Sequence, residues 1–371
     1  MKLKVSLQFV VFLLVFLIYF PSFSSPADQS IQRIVLVYID KYNNMTLSDY
    51  KVLLAYNESN INDTFFNTFL FLGQFSNSGE SYEGYEKGSS YNSWLWWLSK
   101  IFGNGGQIKQ LNAAAEDVSR YVKLSEVNVI IMIPRPLTNL TLEERYINVR
   151  NYVCEVVQTF KERNYNKLKL VGFYWTCETA PEEDYELIKK VSALIHSFGL
   201  KLYWIPYFGA EGINRWKELG FDYVMLQPNF AFSNVDVERF SIVEKIMNNL
   251  SVSVEMELPT FVYNPKVNWQ ESFVLYMYYS SIYNWQKLPV ISYFNGNQFS
   301  QLLYKKYKPY YDLIYIHVKG KDLRSNDLVL GGYNYYKLRN NLKIFASLFV
   351  ILLIVALVLL FVGSKKLFHR Y

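Results

Sequence analysis

The chain has 371 residues, and its net charge of +6 comes partly from terminal lysines and arginines, so no basic face for nucleic acid is implied. Aromatic residues make up 18 %, mostly Tyr and Phe, which is ample material for a large core and is common where sugars are bound. The two cysteines, Cys154 and Cys177, allow one disulfide at most.

Two lysines in Met1-Lys2-Leu3-Lys4 precede an apolar run from Val5 to Phe20 and then Pro21-Ser22-Phe23-Ser24-Ser25. That order predicts a secretory signal peptide over residues 1–25, an uncleaved signal anchor being the alternative. Sequons beginning at Asn44, Asn57, Asn62, Asn139 and Asn249 are compatible with glycosylation of an exported body.

From residue 32 to 321, short β-rich apolar runs alternate with longer amphipathic segments, the pattern of strand-helix units around a parallel sheet. The predicted strands are Ile34–Asp40, Thr68–Phe75, Val127–Pro134, Leu168–Cys177, Leu202–Phe208, Tyr223–Asn229, Val252–Leu258 and Val290–Asn295. Helices are predicted over Asn139–Asn164, Glu182–Phe198, Gly212–Leu219, Val235–Asn248 and Trp269–Trp285. Eight strands with helical crossovers predict an α/β fold, a (β/α)8 TIM-type barrel. An open doubly wound sheet is the alternative, but Val35–Asp40 runs into Lys41-Tyr42-Asn43-Asn44 and not into a Gly-x-Gly-x-x-Gly turn.

Between Ser76 and Lys123 lies an unusually long connection rich in Gly, Ser, Tyr and Trp. It is read either as a lid or wall over the barrel mouth, or as Trp94 and Trp97 packing at helical spacing against the barrel. Cys154 falls midway along a helix and Cys177 at a strand end, a mismatch of about 10 Å that disfavours a bridge. Residues 322–343 read as a polar stalk, residues 344–362 as a transmembrane helix, and residues 363–371 as a basic cytoplasmic tail. Together these segments predict a single-pass protein of the cell membrane with its main domain outside.

In such a barrel, catalytic groups stand where strands end. Glu178 follows the aromatic run Phe173-Tyr174-Trp175. In Val252-Ser253-Val254-Glu255-Met256-Glu257-Leu258, alternation puts Glu255 and Glu257 on one face, while Val254, Met256 and Leu258 suit the apolar helical layer. Two inward carboxylates cost desolvation energy and are hard to explain as packing, although a structural pair between Glu255 and a basic residue is possible chemistry too. With Glu178, they form the set glycoside hydrolysis requires: one carboxyl protonating the leaving oxygen, another attacking carbon or activating water. Tyr38, Asp40, Gln74, Arg135, Trp175, Tyr207, Gln227, Asn229, Tyr293 and Asn295 supply further strand-end groups suited to sugar hydroxyls and rings. His196, His317 and His369 are scattered, which argues against a metal site or a catalytic triad, and no cofactor is expected.

The set Val171-Gly172-Phe173-Tyr174-Trp175 with Glu178, Trp204-Ile205-Pro206-Tyr207-Phe208, Gly220-Phe221-Asp222 with Gln227-Pro228-Asn229, Val254-Glu255-Met256-Glu257 and Tyr311-Asp312 resembles the family called domain of unknown function 4855. The resemblance implies a glycosidase-like barrel with an open substrate. The layout is also similar to retaining glycosidases whose acid/base ends the fourth strand and whose nucleophile ends the seventh. Those enzymes usually carry Asn before the first glutamate, where this chain has Cys177. The resulting expectation is a membrane-anchored hydrolase of extracellular glycans, with Glu178 as acid/base, Glu257 as nucleophile and Glu255 in reserve. A non-catalytic carbohydrate-binding or envelope-scaffold protein on an inactive barrel is the alternative.

Overall fold

The computed structural model describes residues 31–57, 60–84, 87–232, 236–258, 268–294 and 304–368, with side chains as far as residue 358. The expected signal peptide and Asn295 lie outside the described residues. Eight parallel strands close into one barrel: β1 (Gln32–Tyr38), β2 (Thr68–Leu72), β3 (Val127–Ile133), β4 (Leu168–Trp175), β5 (Lys201–Trp204), β6 (Tyr223–Leu226), β7 (Ser253–Glu257) and β8 (Val290–Phe294). Each strand pairs with the next, and β8 pairs back onto β1. The strands are apolar on both faces because one face fills the barrel and the other lies under helices.

Around the strands stand α1 (Leu47–Leu54), α2 (Tyr91–Phe102), α3 (Gln107–Val118), α4 (Leu142–Arg163), α5 (Tyr185–Ser197), α6 (Trp216–Leu219), α7 (Glu238–Leu250), α8 (Trp269–Ile282) and α9 (Lys308–Val318). Local sequence sets their ends. Thr46 with Asp49 and Thr141 with Glu144 make capping boxes at the starts of α1 and α4, satisfying backbone N–H groups that a helix leaves open. Asn164, at φ +42°, closes α4 in the left-handed conformation that Asn tolerates.

Register fixes which side chains look inward. Ile34 pairs with Ser292, and Ser292 with Glu255, so these share the interior face, whereas Val35, Tyr293 and Met256 share the opposite one. On β4 the pairing with β3 slips by one residue, which brings Gly172 opposite Ile130 and Tyr174 opposite Met132. Gly172 is required there, since a Cβ would meet the Lys201 carbonyl oxygen at 2.2 Å and the Tyr203 ring at 2.6 Å.

The segment read as a polar stalk is not a free tether. From Asp327 it is helical and continuous with the apolar stretch, forming α10 (Asp327–Phe368). Its first half packs on α8: the Tyr333 ring stacks on Tyr278 with centroids 3.8 Å apart, and the Arg339 fork bonds Glu271, Nη1 to Oε2 at 2.6 Å. Residues 327–358 are long and apolar enough to cross a membrane, and the apolar 18-residue window of that helix has no residue buried against the protein.

Candidate active site

The mouth is assembled from four strand ends. Past β4, the Thr176 hydroxyl donates to the Tyr82 carbonyl at 2.9 Å and to the Ile133 carbonyl at 3.0 Å, tying the long loop after β2 to β4 two residues before Glu178. Arg135 holds the same loop from beneath. Its backbone N–H donates to the Tyr82 carbonyl at 3.1 Å, and Nη1 donates to the Gly84 carbonyl at 3.0 Å. Glu83 sits between these two anchored residues, close enough to Glu178 to feel its charge.

Past β6, Gln227 donates from Nε2 to Glu178 Oε1 at 2.9 Å. Two residues on, Asn229 is held at φ +51°, a conformation Asn tolerates, and its N–H donates to Glu257 Oε1 at 3.0 Å. The Phe230 N–H donates to Glu257 Oε2 at 3.1 Å, and the Tyr276 hydroxyl of α8 donates to that same oxygen. One short turn after β6 therefore touches both Glu178 and Glu257. Glu255 lies one layer deeper, 3 % exposed, and its Oε1 is buried without a hydrogen-bond partner among the described residues.

Burial dominates the electrostatics of this group. It raises the Glu83 carboxyl to about 7, helped by the charge of Glu178. It raises Glu257 to about 7 as well, against the opposing pull of Tyr276 and the N–H groups of Phe230 and Asn229. Glu255 is driven well above the carboxylate range by burial and then by Glu257 and Glu178. The buried hydroxyl of Tyr174, inward on β4, is likewise raised by burial and by the charges of Glu178 and Glu255. Among the described residues, neither lysine nor arginine forms an ion pair with Glu83, Glu255 or Glu257.

The other candidates divide. Tyr38 is inward at the top of β1, edge-on to Phe294 with centroids 5.6 Å apart, and Phe294 in turn meets the exposed Phe232 at 5.6 Å. These rings form an aromatic strip on the mouth. Tyr207 is half-buried and bridges to Gln227, and Gln74 is exposed at the end of β2.

Four residues go elsewhere. Asp40 is fully buried and accepts from the N–H groups of Tyr42, Asn43 and Gln74, so it builds the turn after β1. Arg135 is 2 % exposed, its guanidinium bound to Asp184 at 2.8 Å, Glu183 at 3.0 Å and the Gly84 carbonyl, which makes it a scaffold for the Glu83 loop. Trp175 alternates with inward Tyr174 and is completely buried. Tyr293 points into the helical layer, its hydroxyl 2.9 Å from His317 Nδ1.

Glu83, Tyr276, Phe232 and Phe294 join the mouth without standing among the strand-end candidates of the sequence. Glu83 was detectable as an acidic residue in a long connection entering the C-terminal face. Trp94 and Trp97 prove to be packing residues on α2, both fully buried and donating to Ser89 Oγ and the Ile39 carbonyl. Cys154 and Cys177 are free, one exposed and one buried.

The family profile described as Domain of unknown function (DUF4855) matches residues 33–319, which is the whole barrel. The chain belongs to the DUF4855 family. No curated protein matches this DUF4855 chain. Among solved structures, its barrel is similar to that of a candidate α-L-fucosidase from Bacteroides thetaiotaomicron, at 10 % identity and TM-score 0.46, covering 84 % of this chain and 100 % of the other. It is similar to a family 18 chitinase from Crocus vernus at 11 % identity and TM-score 0.42, covering 76 % and 99 %. It is also similar to a mutant tryptophan synthase α-subunit from Pyrococcus furiosus at 12 % identity and TM-score 0.38, covering 80 % and 98 %. These likenesses concern the barrel alone, since one fold hosts many chemistries.

One arrangement at the opposite end imitates a catalytic triad. His196 Nε2 lies 2.7 Å from Asp222, and Ser192 Oγ lies 3.5 Å from His196 Nδ1. Ser192 is buried, however, and its hydroxyl is donated to the Gly220 carbonyl at 2.8 Å, so no nucleophile is presented.

Proposed function

We propose that this DUF4855 protein is a membrane-anchored glycoside hydrolase with its barrel outside the cytoplasm. The reading rests chiefly on one observation: Glu178 stands at the mouth, accepts a hydrogen bond from Gln227 at 2.9 Å, and lies within electrostatic reach of a second carboxyl, Glu83. A pair of carboxyl groups whose environments differ is what glycosidic cleavage needs. Glu83, raised to about 7, is protonated in about half of the molecules at neutral pH, and that form donates its proton to the leaving oxygen. Glu178 is the carboxylate that attacks the sugar carbon or takes a proton from water. The strip of Tyr38, Phe294 and Phe232 offers ring faces to a pyranose, and Gln227 and Tyr207 offer polar groups.

A second assignment of the same chemistry has Glu178 as acid/base and Glu257 as nucleophile. The three donors converging on Glu257 favour it, because they stabilise an ionised carboxylate. Its near-complete burial favours the first assignment. Release of reducing ends from a polysaccharide panel tests both. Glu178→Gln lowers hydrolysis by about a thousandfold in either case. Rescue of Glu257→Gln, but not of Glu83→Gln, by an external nucleophile such as azide selects the second. Glycan binding with no hydrolysis by the wild-type chain would instead make this an inactive, carbohydrate-binding barrel.

A further inference from the structure

The direction of α10 along the barrel decides which end faces the membrane. Helices of a (β/α)8 barrel run antiparallel to the strands, so α8 starts at the mouth with Trp269 and ends at the floor with Ile282. The Leu323 N–H, just before α10, donates to Ser281 Oγ at 3.0 Å, at the floor. Further along α10, Gly332 lies so close to Val274 that a Cβ would meet Cγ2 at 2.5 Å, and Tyr333 stacks on Tyr278. Arg339 pairs with Glu271, in the first turn of α8. The order of these contacts means that α10 climbs from floor to mouth.

The apolar residues begin at Ile344, five residues beyond Arg339 and so about 7.5 Å further along the same helix. From there to Val358 the large apolar side chains are all about half exposed or more, as in a helix meant for lipid. Around the mouth end of α8 and α9 stand exposed Lys305 and Lys306, with Tyr307 against Trp269 at 5.2 Å between centroids. Aromatic rings and lysines together are the composition of a membrane interface.

We infer that the barrel mouth faces the bilayer that holds α10, the rim of Lys305, Lys306, Tyr307 and Trp269 lying against lipid headgroups, and that the substrate is a glycan attached to that membrane. This inference rests on reading α10 as a membrane span and deepens the glycosidase proposal. A packed helix that runs without a break into the apolar stretch leaves no slack for the barrel to turn over. A sugar carried on a lipid reaches Glu178 directly, whereas a free polymer has to enter the gap between rim and bilayer from the side.

The test uses the full chain in phosphatidylcholine nanodiscs carrying headgroup nitroxides. A fluorophore is placed at Lys305→Cys on the rim or at Ser197→Cys on the floor, in a Cys154→Ser background. Fluorescence at the rim is lost and fluorescence at the floor is retained if the mouth faces lipid. Equal or reversed quenching overturns the orientation, whatever the chain hydrolyses. In a second arm, the same oligosaccharide is offered lipid-linked and free, to the native chain and to one with a Gly-Ser insert after Asn341. The inference expects faster release from the lipid-linked form, with that preference lost in the insert; equal rates on both forms overturn the substrate assignment. If neither form is cleaved, the glycosidase reading fails while the quenching still decides the orientation.

Discussion

The floor and the mouth of this barrel handle buried charge in opposite ways. At the floor, Arg33 is 5 % exposed and gives its guanidinium to backbone carbonyls of Gln32, Gln286, Leu288, Pro289 and Val318, with the Gln286 and Leu288 bonds at 2.9 Å. One cation thereby ties the start of β1 to the approach to β8 and the end of α9. Beside it, burial and Arg33 itself lower His317 to about 3, so the ring stays neutral. At the mouth, Glu83 and Glu255 feel the charge of Glu178, Glu257 adds to that on Glu255, and none of Glu83, Glu255 and Glu257 is ion-paired to a lysine or arginine among the described residues. Charge at the floor is arranged for stability, whereas charge at the mouth is left in a costly state that a substrate or proton can relieve.

The contrast is sharpest if substitutions at the two ends separate activity from stability. Glu178→Gln should lower turnover by about a thousandfold, roughly 4 kcal/mol, with the thermal midpoint nearly unchanged. Arg33→Met should do the reverse, costing about 3 kcal/mol or more by denaturant unfolding because several buried carbonyls lose their donor, while turnover per folded molecule is kept. A fall in activity as large as that of Glu178→Gln would break the division.

The pH dependence probes both ends at once. Glu257 binds its proton more tightly folded, at about 7, than unfolded, at its usual 4.5, so this group's contribution to stability declines as pH rises between those values and is flat above. The decline amounts to about 3 kcal/mol at most, and Glu257→Gln should flatten it in a series of urea melts. His317 acts on the acid side. Its folded value lies below its unfolded 6.5, so stability falls as pH drops from 6.5 toward about 3. The smallest effect expected is that of Gln227→Ala, about tenfold in kcat/KM as Glu178 loses the hydrogen bond from Nε2, and rescue by Gln227→Asn would be incomplete.

Much of the barrel was legible because each strand is a short apolar run with turn residues at both ends, and because alternation puts Glu255 and Glu257 on one face whatever the register. Tyr293 and Trp175 were assigned to the site from their strand-end positions alone. Their true direction depends on the pairing of Tyr293 with Met256 and on the slip between β3 and β4, which is a property of neighbouring strands and not of one segment. Arg135 looked available since its partner Asp184 is 49 residues away. Glu83 lies in a loop with no period to read. In residues 322–343, the polar composition suggested a solvated stalk and concealed the face of Gly332, Tyr333 and Arg339 that grips α8.

The most direct test of a glycosidase mouth built on Glu178 is release of reducing ends from lipid-linked and free glycans by the full chain in nanodiscs, with Glu178→Gln and Glu83→Gln alongside. Hydrolysis by the native chain that disappears in both variants, with their unfolding midpoints preserved, is the predicted result. Hydrolysis that survives Glu178→Gln would contradict it.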